Sequence, residues 1–453
     1  MPAGGTWTVQ NKQRPGAYID FLSVGKPNTV IGDRGVVACA LPMIWGPADT
    51  IIELLSTDLV DGSSLAKVGC TIADIDASLP YRLLLQKSYK ALLYRADTGG
   101  GKASVTIQSN LTVTAKYAGT KGNDITFKVV VDKPTAGQNT ISILVGGEEK
   151  ETFVATTLGS CVDLDSEWVD FACTVGTGTA LIANAGAPLV NGTNGTVSDA
   201  TFASFTTKIK EERWNCVTAN STAAAAATAI IALVKTMRDD AGRKVQGVVY
   251  NDVSANHEGV IGVKQGFTTA TDTVSTALFP LWVAGQTAGS KVNESNTCVE
   301  VPGAVSILSP IADSAIADNL KLGWFVLSYL QDGTVVVEQD INTFVSFTTS
   351  KGYCFSKNRV IRCLDSIAND ITLLFTKTYA GKSSNNSVER NTFKSQIISY
   401  LDNLQSLQAI QNFAGSADIT VAQGDTIEAV VVDLEIQPVD SMEKLYMTVY
   451  VNA

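Results

Sequence analysis

Residues 214–252 read WNCVTANSTAAAAATAIIALVKTMRDDAGRKVQGVVYND, and this stretch decides the fold class. WNCVTA is a short strand signal. The Ala-rich run that follows is long enough for several helical turns, and alanine is the strongest helix former. VQGVVYND then reads as a second strand. Strand, helix and strand joined by short links form a β–α–β unit, which builds a mostly parallel sheet. The most apolar part of the helix, AAAAATAIIALV over 223–234, is too short and too rich in Ala and Thr to span a bilayer.

Working outward, DATFASFTTKIKEE reads as the preceding helix, with Asp199 as its N-cap. Downstream, GVIGVKQGF, WVAGQTAG, VEVPG and FVLSYLQDGTVVVEQD extend the sheet or its edges. Toward the N-terminus, TVIGDRGVVACALPMIWGP is a strand entering a core. ADTIIELLS and PYRLLLQKSYKALLYRA read as helices, with Leu83, Leu84, Leu92 and Leu93 near helical spacing. TGGGKA at 98–103 breaks this pattern. Beyond it SVTIQ, LTVTAKYAG, DITFKVVVD, NTISILVGG and KETFVATT carry strand signals bounded by Gly, Asn or Pro.

In the last hundred residues, Val360, Cys363, Leu364, Ile367, Ile371 and Leu374 share one helical face. Ser356 is the expected N-cap of that helix and Gly381 its C-cap. SVERNTFKSQIISYLDNLQSLQAI is a second helix, and TIEAVVVDLEIQP and EKLYMTVYV are closing strands. The expected class is α/β and α+β multidomain. Residues 1–25 form an extended N-terminal arm, and 26–100 with 191–348 a discontinuous α/β core domain. Residues 101–190 are an all-β peripheral insertion, and 349–453 a C-terminal α+β domain ending in an extended strand.

That last strand alternates: Leu445, Met447, Val449 and Val451 on one side, Tyr446, Thr448 and Tyr450 on the other, the period of a half-buried strand. Trp7 and Val9 likewise share a face of TWTVQ, and AYIDFLSV, with Tyr18, is a second alternating piece. Two pairings fit the final strand. PVDSMEK could turn 444–451 back onto 427–437 as a hairpin, or the strand could add to another copy's sheet.

The composition narrows the function. The 453 residues carry a net charge of −10 and no Lys/Arg-rich run, which argues against a nucleic-acid partner. Only 17% of residues are charged, against roughly 25% in average soluble chains, so much of the surface either lies against other protein or is solvated by Ser, Thr and Asn. The N-terminus has neither the basic region nor the apolar core of a signal peptide. Eight cysteines lie far apart with no C-x-x-C pair, as expected of free thiols.

Catalytic and ligand motifs are missing. His257 is the one histidine and has no evident catalytic partner. DTGGGKA and TKTYAGKSS resemble phosphate loops, but Ala96 and Thr376 stand where the first glycine belongs. DLDSEWVD gathers Asp163, Asp165, Glu167 and Asp170, yet Trp168 occupies the sixth position, where a calcium loop needs glycine. No catalytic residue, metal or cofactor is therefore expected, and a structural component is favoured over an enzyme.

KGYCFSKNRVIRCLDSIANDI, YAGKSSNNSVERNTFKSQIISYLDNLQ and IQPVDSMEKLYMTVYV resemble the C-terminal region of contractile tail sheath proteins of bacteriophages and phage-tail-like particles. GGTWTVQNKQRPGAYIDF is similar to the start of the same family, and AKYAGTKGNDITFKVVV to a segment of its longer members. The resemblance implies subunits that stack around an inner tube, with the C-terminal domain innermost and insertions outside. It implies terminal arms that add strands to neighbouring copies, using Trp7, Val9, Tyr18, Leu445, Met447, Val449 and Val451. The local basic cluster Lys382, Arg390 and Lys394 is the candidate tube contact. The implied partners are further copies, an inner tail tube protein, and baseplate and tail terminator proteins, without nucleic acid or membrane insertion. The implied location is a virion tail or phage-tail-like particle assembled in the bacterial cytoplasm. A non-contractile tube or shell protein and a cytosolic α/β enzyme are the alternatives.

Overall fold

The computed structural model of the chain describes residues 3–5, 16–18, 34–133 and 138–451. Two compact units divide it: Asp33–Asn369 with Pro438–Ala453, and Met1–Gly32 with Asp370–Gln437.

The larger unit is built on a six-stranded sheet. Its strands are β1 (Val36–Leu41), β2 (Ile51–Leu55), β3 (Lys90–Arg95), β4 (Cys216–Ala219), β5 (Gln246–Tyr250) and β6 (Val260–Val263), in the spatial order β6-β5-β4-β1-β3-β2. All neighbours are parallel except β2, which runs antiparallel to β3 at the edge. Alternate residues of β1 enter separate cores. Val37, Cys39 and Leu41 pack with Leu84 of α1 (Ile75–Leu85) and other residues on one face. Ala38 and Ala40 pack on the other with Phe202 and Phe205 of α2 (Asp199–Ile209) and Ile230 and Leu233 of α3 (Ala224–Lys235). Covered on both faces, such strands lose the alternation that marks a half-buried strand.

Three segments depart from the sequence reading, two of them through complete burial. KALLYR is not a continuation of a helix but β3, second neighbour to the sheet edge and buried from Ala91 to Arg95. IIELL is the edge strand β2, where only Ile52 and Leu54 are buried. WVAGQTAG is no strand; it lies in α4 (Phe279–Gly289), whose residues Phe279 to Ala288 are all buried. A helix buried all round has no apolar stripe to betray it. Its glycines serve contact: a Cβ on Gly285 or Gly289 would stand 2.4 Å from the carbonyl oxygens of Leu84 and Lys87. At α2 the cap position is Ser198, and Asp199 is the first helical residue.

Between β3 and β4 lies a β-sandwich. One sheet orders its strands 148–155, 138–145, 125–133 and 184–188, and the other 169–173, 111–115 and 104–107. Phe127, Ile141, Val113 and Val169 share its core. Trp45, from the segment after β1, is fully buried in that same core. Its ring lies 5.5 Å from that of Trp168 and 5.1 Å from that of Tyr117, and its Nε1 donates to the Ala66 carbonyl at 3.0 Å. The two crossings into the sandwich are adjacent, because Asp97–Thr98 pair antiparallel with Thr196–Val197. All eight cysteines are free.

Helix α5 (Asn358–Leu374) continues as a π-helical turn, Phe375–Tyr379, and the unit boundary falls within α5. Ser356 does not cap α5. It closes the 3₁₀ turn Tyr353–Ser356 and donates its hydroxyl to the Tyr353 carbonyl at 2.7 Å. Within the smaller unit, Asn386 caps α6 (Ser387–Ser406) by accepting from the Glu389 N–H at 2.9 Å. The Tyr379 and Phe393 rings pack with centroids 4.8 Å apart, and Ile397, Leu401 and Leu404 are buried. The Tyr400 hydroxyl donates to Asp370 at 2.7 Å. After α6 comes a hairpin, β7 (Ile419–Gln423) with β8 (Val430–Leu434). Near the N-terminus, Ala3–Gly5 pair parallel with Gly16–Tyr18.

Candidate assembly surface

Of the two pairings open to the end of the chain, the internal hairpin does not form among the described residues. The partner of β8 is β7, so 430–434 are already paired on one side by 419–423. Among the described residues, 444–451 belong to no ladder. A strand exists only through its partner, so the alternating tail is not a strand within its own subunit. Its side chains are bare: Leu445 is 84% exposed, Met447 74%, Val449 67% and Val451 87%, with Tyr446 and Tyr450 equally open. A contiguous row of apolar side chains this exposed marks an interaction surface.

The root of this arm is the opposite. Glu443 is inserted into the larger unit, where its carboxylate accepts from four donors. These are the Lys357 ammonium, Gln339 Nε2 at 2.7 Å, the Thr297 hydroxyl at 2.8 Å and the Ser441 hydroxyl at 3.2 Å. The Lys357 and Glu443 side chains are only 4% and 11% exposed. Burial alone would raise the Glu443 carboxyl, but the bonds from Lys357, Gln339 and Thr297 hold it below its usual range. Beside the root, Cys298, Leu320, Phe344, Phe347 and Tyr353 line a groove of about 520 Å³.

Lys357 stands directly before α5, whose polar side is buried as deeply as its apolar side. Asn358, Arg362, Asp365 and Asn369 follow at helical spacing. The Asn358 amide donates to Asp340 at 2.9 Å and accepts from Gln246 at 3.1 Å. Arg362 donates to Asp340 at 2.7 Å, both side chains being at most 1% exposed. Asp365 receives Arg238 in a two-pronged pair at 2.7 and 2.8 Å. Asn369 both accepts from the Lys244 N–H and donates to its carbonyl, at 2.9 and 2.7 Å. Burial would raise the Asp340 carboxyl, but Arg362 and the N–H of Asn296 hold it down. The Thr297 hydroxyl links this network to the arm, accepting from the Asp340 N–H at 2.9 Å while it donates to Glu443.

Of the residues singled out in sequence, Leu445, Met447, Val449 and Val451 come together as one exposed arm. Tyr18 lies in the short strand Gly16–Tyr18, while Trp7 and Val9 lie outside the described residues. Arg390 and Lys394 stand one turn apart on α6, and Lys382 lies in the loop before it. Each cation donates internally: Lys382 to the Lys377 carbonyl at 2.5 Å, Arg390 to Asn385 at 2.9 and 3.1 Å, and Lys394 to the Ser416 carbonyl at 3.1 Å.

His257 is part of a charged corner. Its Nε2 faces Asp239 at 3.4 Å and its Nδ1 accepts from the Gly259 N–H at 3.0 Å. Among the described residues no group of His, Cys, Asp or Glu is arranged to hold a metal ion, and no helix is long and apolar enough to cross a membrane. Lys357, Glu443 and the buried α5 stripe escaped the sequence reading. The 358, 362, 365, 369 spacing was the available signal for the stripe; a lone Glu443 gave none.

Three family matches run along the chain in order. Residues 98–194 match the phage tail sheath protein beta-sandwich domain, 195–343 the phage tail sheath protein central domain, and 350–452 the phage tail sheath C-terminal domain. This chain belongs to the phage tail sheath protein family. The phage-like element PBSX protein XkdK of Bacillus subtilis is similar along its whole length, at 31% identity over 99% of this chain and 100% of that protein. The sheath tail protein of Desulfitobacterium hafniense is 37% identical and superposes with a TM-score of 0.82, covering 95% of this chain and 99% of its own. At 13% identity the fold alone is shared with the helical sheath of the anti-feeding prophage in its contracted state. That TM-score is 0.57, covering 97% of this chain and 99% of the other. The sheath protein is thus a structural subunit of α/β and α+β domains, and its family and fold are those of tail sheaths.

Proposed function

We propose that this tail sheath protein polymerises around an inner tube by exchanging its terminal strands between copies, and that contraction of the polymer drives the tube through a target envelope. The observation that carries this reading is the arm 445–451, exposed on both sides and without a ladder partner in its own subunit. The β7–β8 hairpin suits the receiving role: a two-stranded sheet is marginal alone and offers open edges. Strand addition gives affinity through main-chain bonds and register through alternate side chains.

In this reading the sandwich 101–190 decorates the outside, the C-terminal domain 349–453 faces the tube, and the N-terminal arm, with Trp7, Val9 and Tyr18, adds a second exchanged strand. Lys382, Arg390 and Lys394 touch the tube weakly enough to let the sheath change register. The further partners are the tube, baseplate and tail terminator proteins, the location is the virion tail after assembly in the host cytoplasm, and the protein catalyses no reaction. Negative-stain microscopy of the purified protein tests the whole reading. Hollow cylinders wider than a bare tube support it; thin tubes, closed shells or dispersed monomers overturn it.

A further inference from the structure

We infer that Glu443 moors the C-terminal arm, fixing where and with which face residues 445–451 leave the subunit. The inference rests on the strand-exchange reading above and names the residue that positions the exchanged strand.

Three observations carry it. Among the described residues Glu443 is the last with a hydrogen-bond partner, and two positions on the chain is almost fully exposed. The transition from anchored to free therefore happens at one residue. Second, the anchor uses a buried ion pair. Lys357 is 4% exposed in the pair, and its ammonium has Glu443 as its only ion-pair partner among the described residues. Two buried charges hold a joint no better than an apolar contact would, and often worse. What they add is position, since the carboxylate sits where Lys357, Gln339 and Thr297 converge on it.

Third, position decides register. In extended chain every second residue shares a side, so a one-residue slip turns the whole strand over. With Glu443 fixed, the residues of its own parity are Leu445, Met447, Val449 and Val451. A moored arm presents that face in one orientation to the copy that captures it. Through Thr297 and Lys357 the same joint reaches Asp340, Arg362 and the start of α5, so a pull on the arm loads the buried network and not slack chain.

An unmoored arm must be ordered by its captor. Freeing even one more residue of backbone costs about a factor of ten in capture. The test compares wild type, Glu443→Gln, the apolar pair Lys357→Met with Glu443→Leu, the charge swap Lys357→Glu with Glu443→Lys, and deletion of 445–453. Circular dichroism reads folding, amide exchange reads the order of residues 441–444 in the monomer, and sedimentation reads the critical concentration for cylinders well below every melting transition. Glu443→Gln is expected to release 441–444 and raise the critical concentration at least about tenfold, with the charge swap restoring both. The apolar pair guards against misfolding: it is expected to melt like wild type yet assemble into less regular cylinders.

Wild-type assembly by folded Glu443→Gln, beside a deletion that does not assemble, overturns the mooring and leaves strand exchange standing. A charge swap that restores melting but not assembly also overturns it. A deletion that assembles like wild type removes strand exchange itself, and the mooring with it.

Discussion

Deleting residues 445–453 separates an exchanged strand from an internal one. Only 13–33% of each of Leu445, Met447, Val449 and Val451 is covered, as the complements of exposures between 67% and 87%. Full burial of such a side chain is worth roughly 1.5–3 kcal/mol, so the subunit itself loses about 1–3 kcal/mol across the four. For a chain of this length that is a melting shift below about 5 °C. A self-contained hairpin burying Leu445, Met447 and Val449 would lose about 5–9 kcal/mol and expose a bare strand. The loss at the joint between copies is larger, because the same side chains become covered there and several ladder bonds of about 1 kcal/mol each are added. Affinity is expected to fall by four orders of magnitude or so, which abolishes cylinders at micromolar concentration. Circular dichroism melting with sedimentation of the truncated protein reads both. A melting temperature lowered by about 5 °C or more with aggregation, or cylinders that still form, refutes the reasoning.

Trp45→Ala empties the joint between the sheet unit and the sandwich, where the ring meets Trp168 and Tyr117 and is fully buried, and is expected to cost about 3–5 kcal/mol in a denaturant titration. Replacing 101–190 with a short Gly/Ser linker is expected to preserve assembly once Trp45, then exposed, is also made polar; a folded variant without cylinders in the microscope counts against a peripheral sandwich. Arg362→Met leaves Asp340 buried without its counter-charge and is expected to cost about 3–5 kcal/mol, while Arg362→Met with Asp340→Asn, which removes the buried charge and keeps an acceptor for Asn358 and Asn296, recovers part of it, as a thermal melt of each would report. Charge reversal at Lys382, Arg390 and Lys394 is expected to spare sheath self-assembly and weaken co-sedimentation with tubes; unchanged tube binding refutes that contact. Acidification is expected to destabilise the subunit. Burial holds His257 below its ordinary 6.5, so it binds protons more readily unfolded, and stability starts to fall as the pH drops below that value. Glu258, Asp340 and Glu443 are held below the ordinary carboxylate range, so their contribution is complete above it and disappears as the pH falls through their depressed values. Melting curves of wild type and His257→Asn between pH 7 and 4 should differ mainly in the first part of that fall.

The parallel sheet was legible because WNCVTA and VQGVVY flank an Ala-rich helix with nothing between but short turns. The sandwich strands were legible too, since Leu111, Val113 and Ala115 alternate with half-buried threonines. KALLYR and WVAGQTAG were misread for the same reason: complete burial removes the contrast between faces from which period is judged. The alternating arm was visible, but alternation specifies a strand without naming its partner. Only the absence of any ladder partner for 444–451 among the described residues speaks against the internal hairpin. Glu443 was invisible because its role depends on Lys357, Gln339 and Thr297, which lie 86, 104 and 146 residues away.

The most direct measurement of the central claim is a cryo-EM map of the assembled cylinder at a resolution that traces the main chain through Glu443. Strand exchange predicts residues 445–451 hydrogen-bonded as a strand beside the β7–β8 hairpin of another copy, and the mooring adds Glu443 on Lys357 of its own subunit. Residues 445–451 folded back on their own subunit, or left without a partner in a well-ordered lattice, would contradict it.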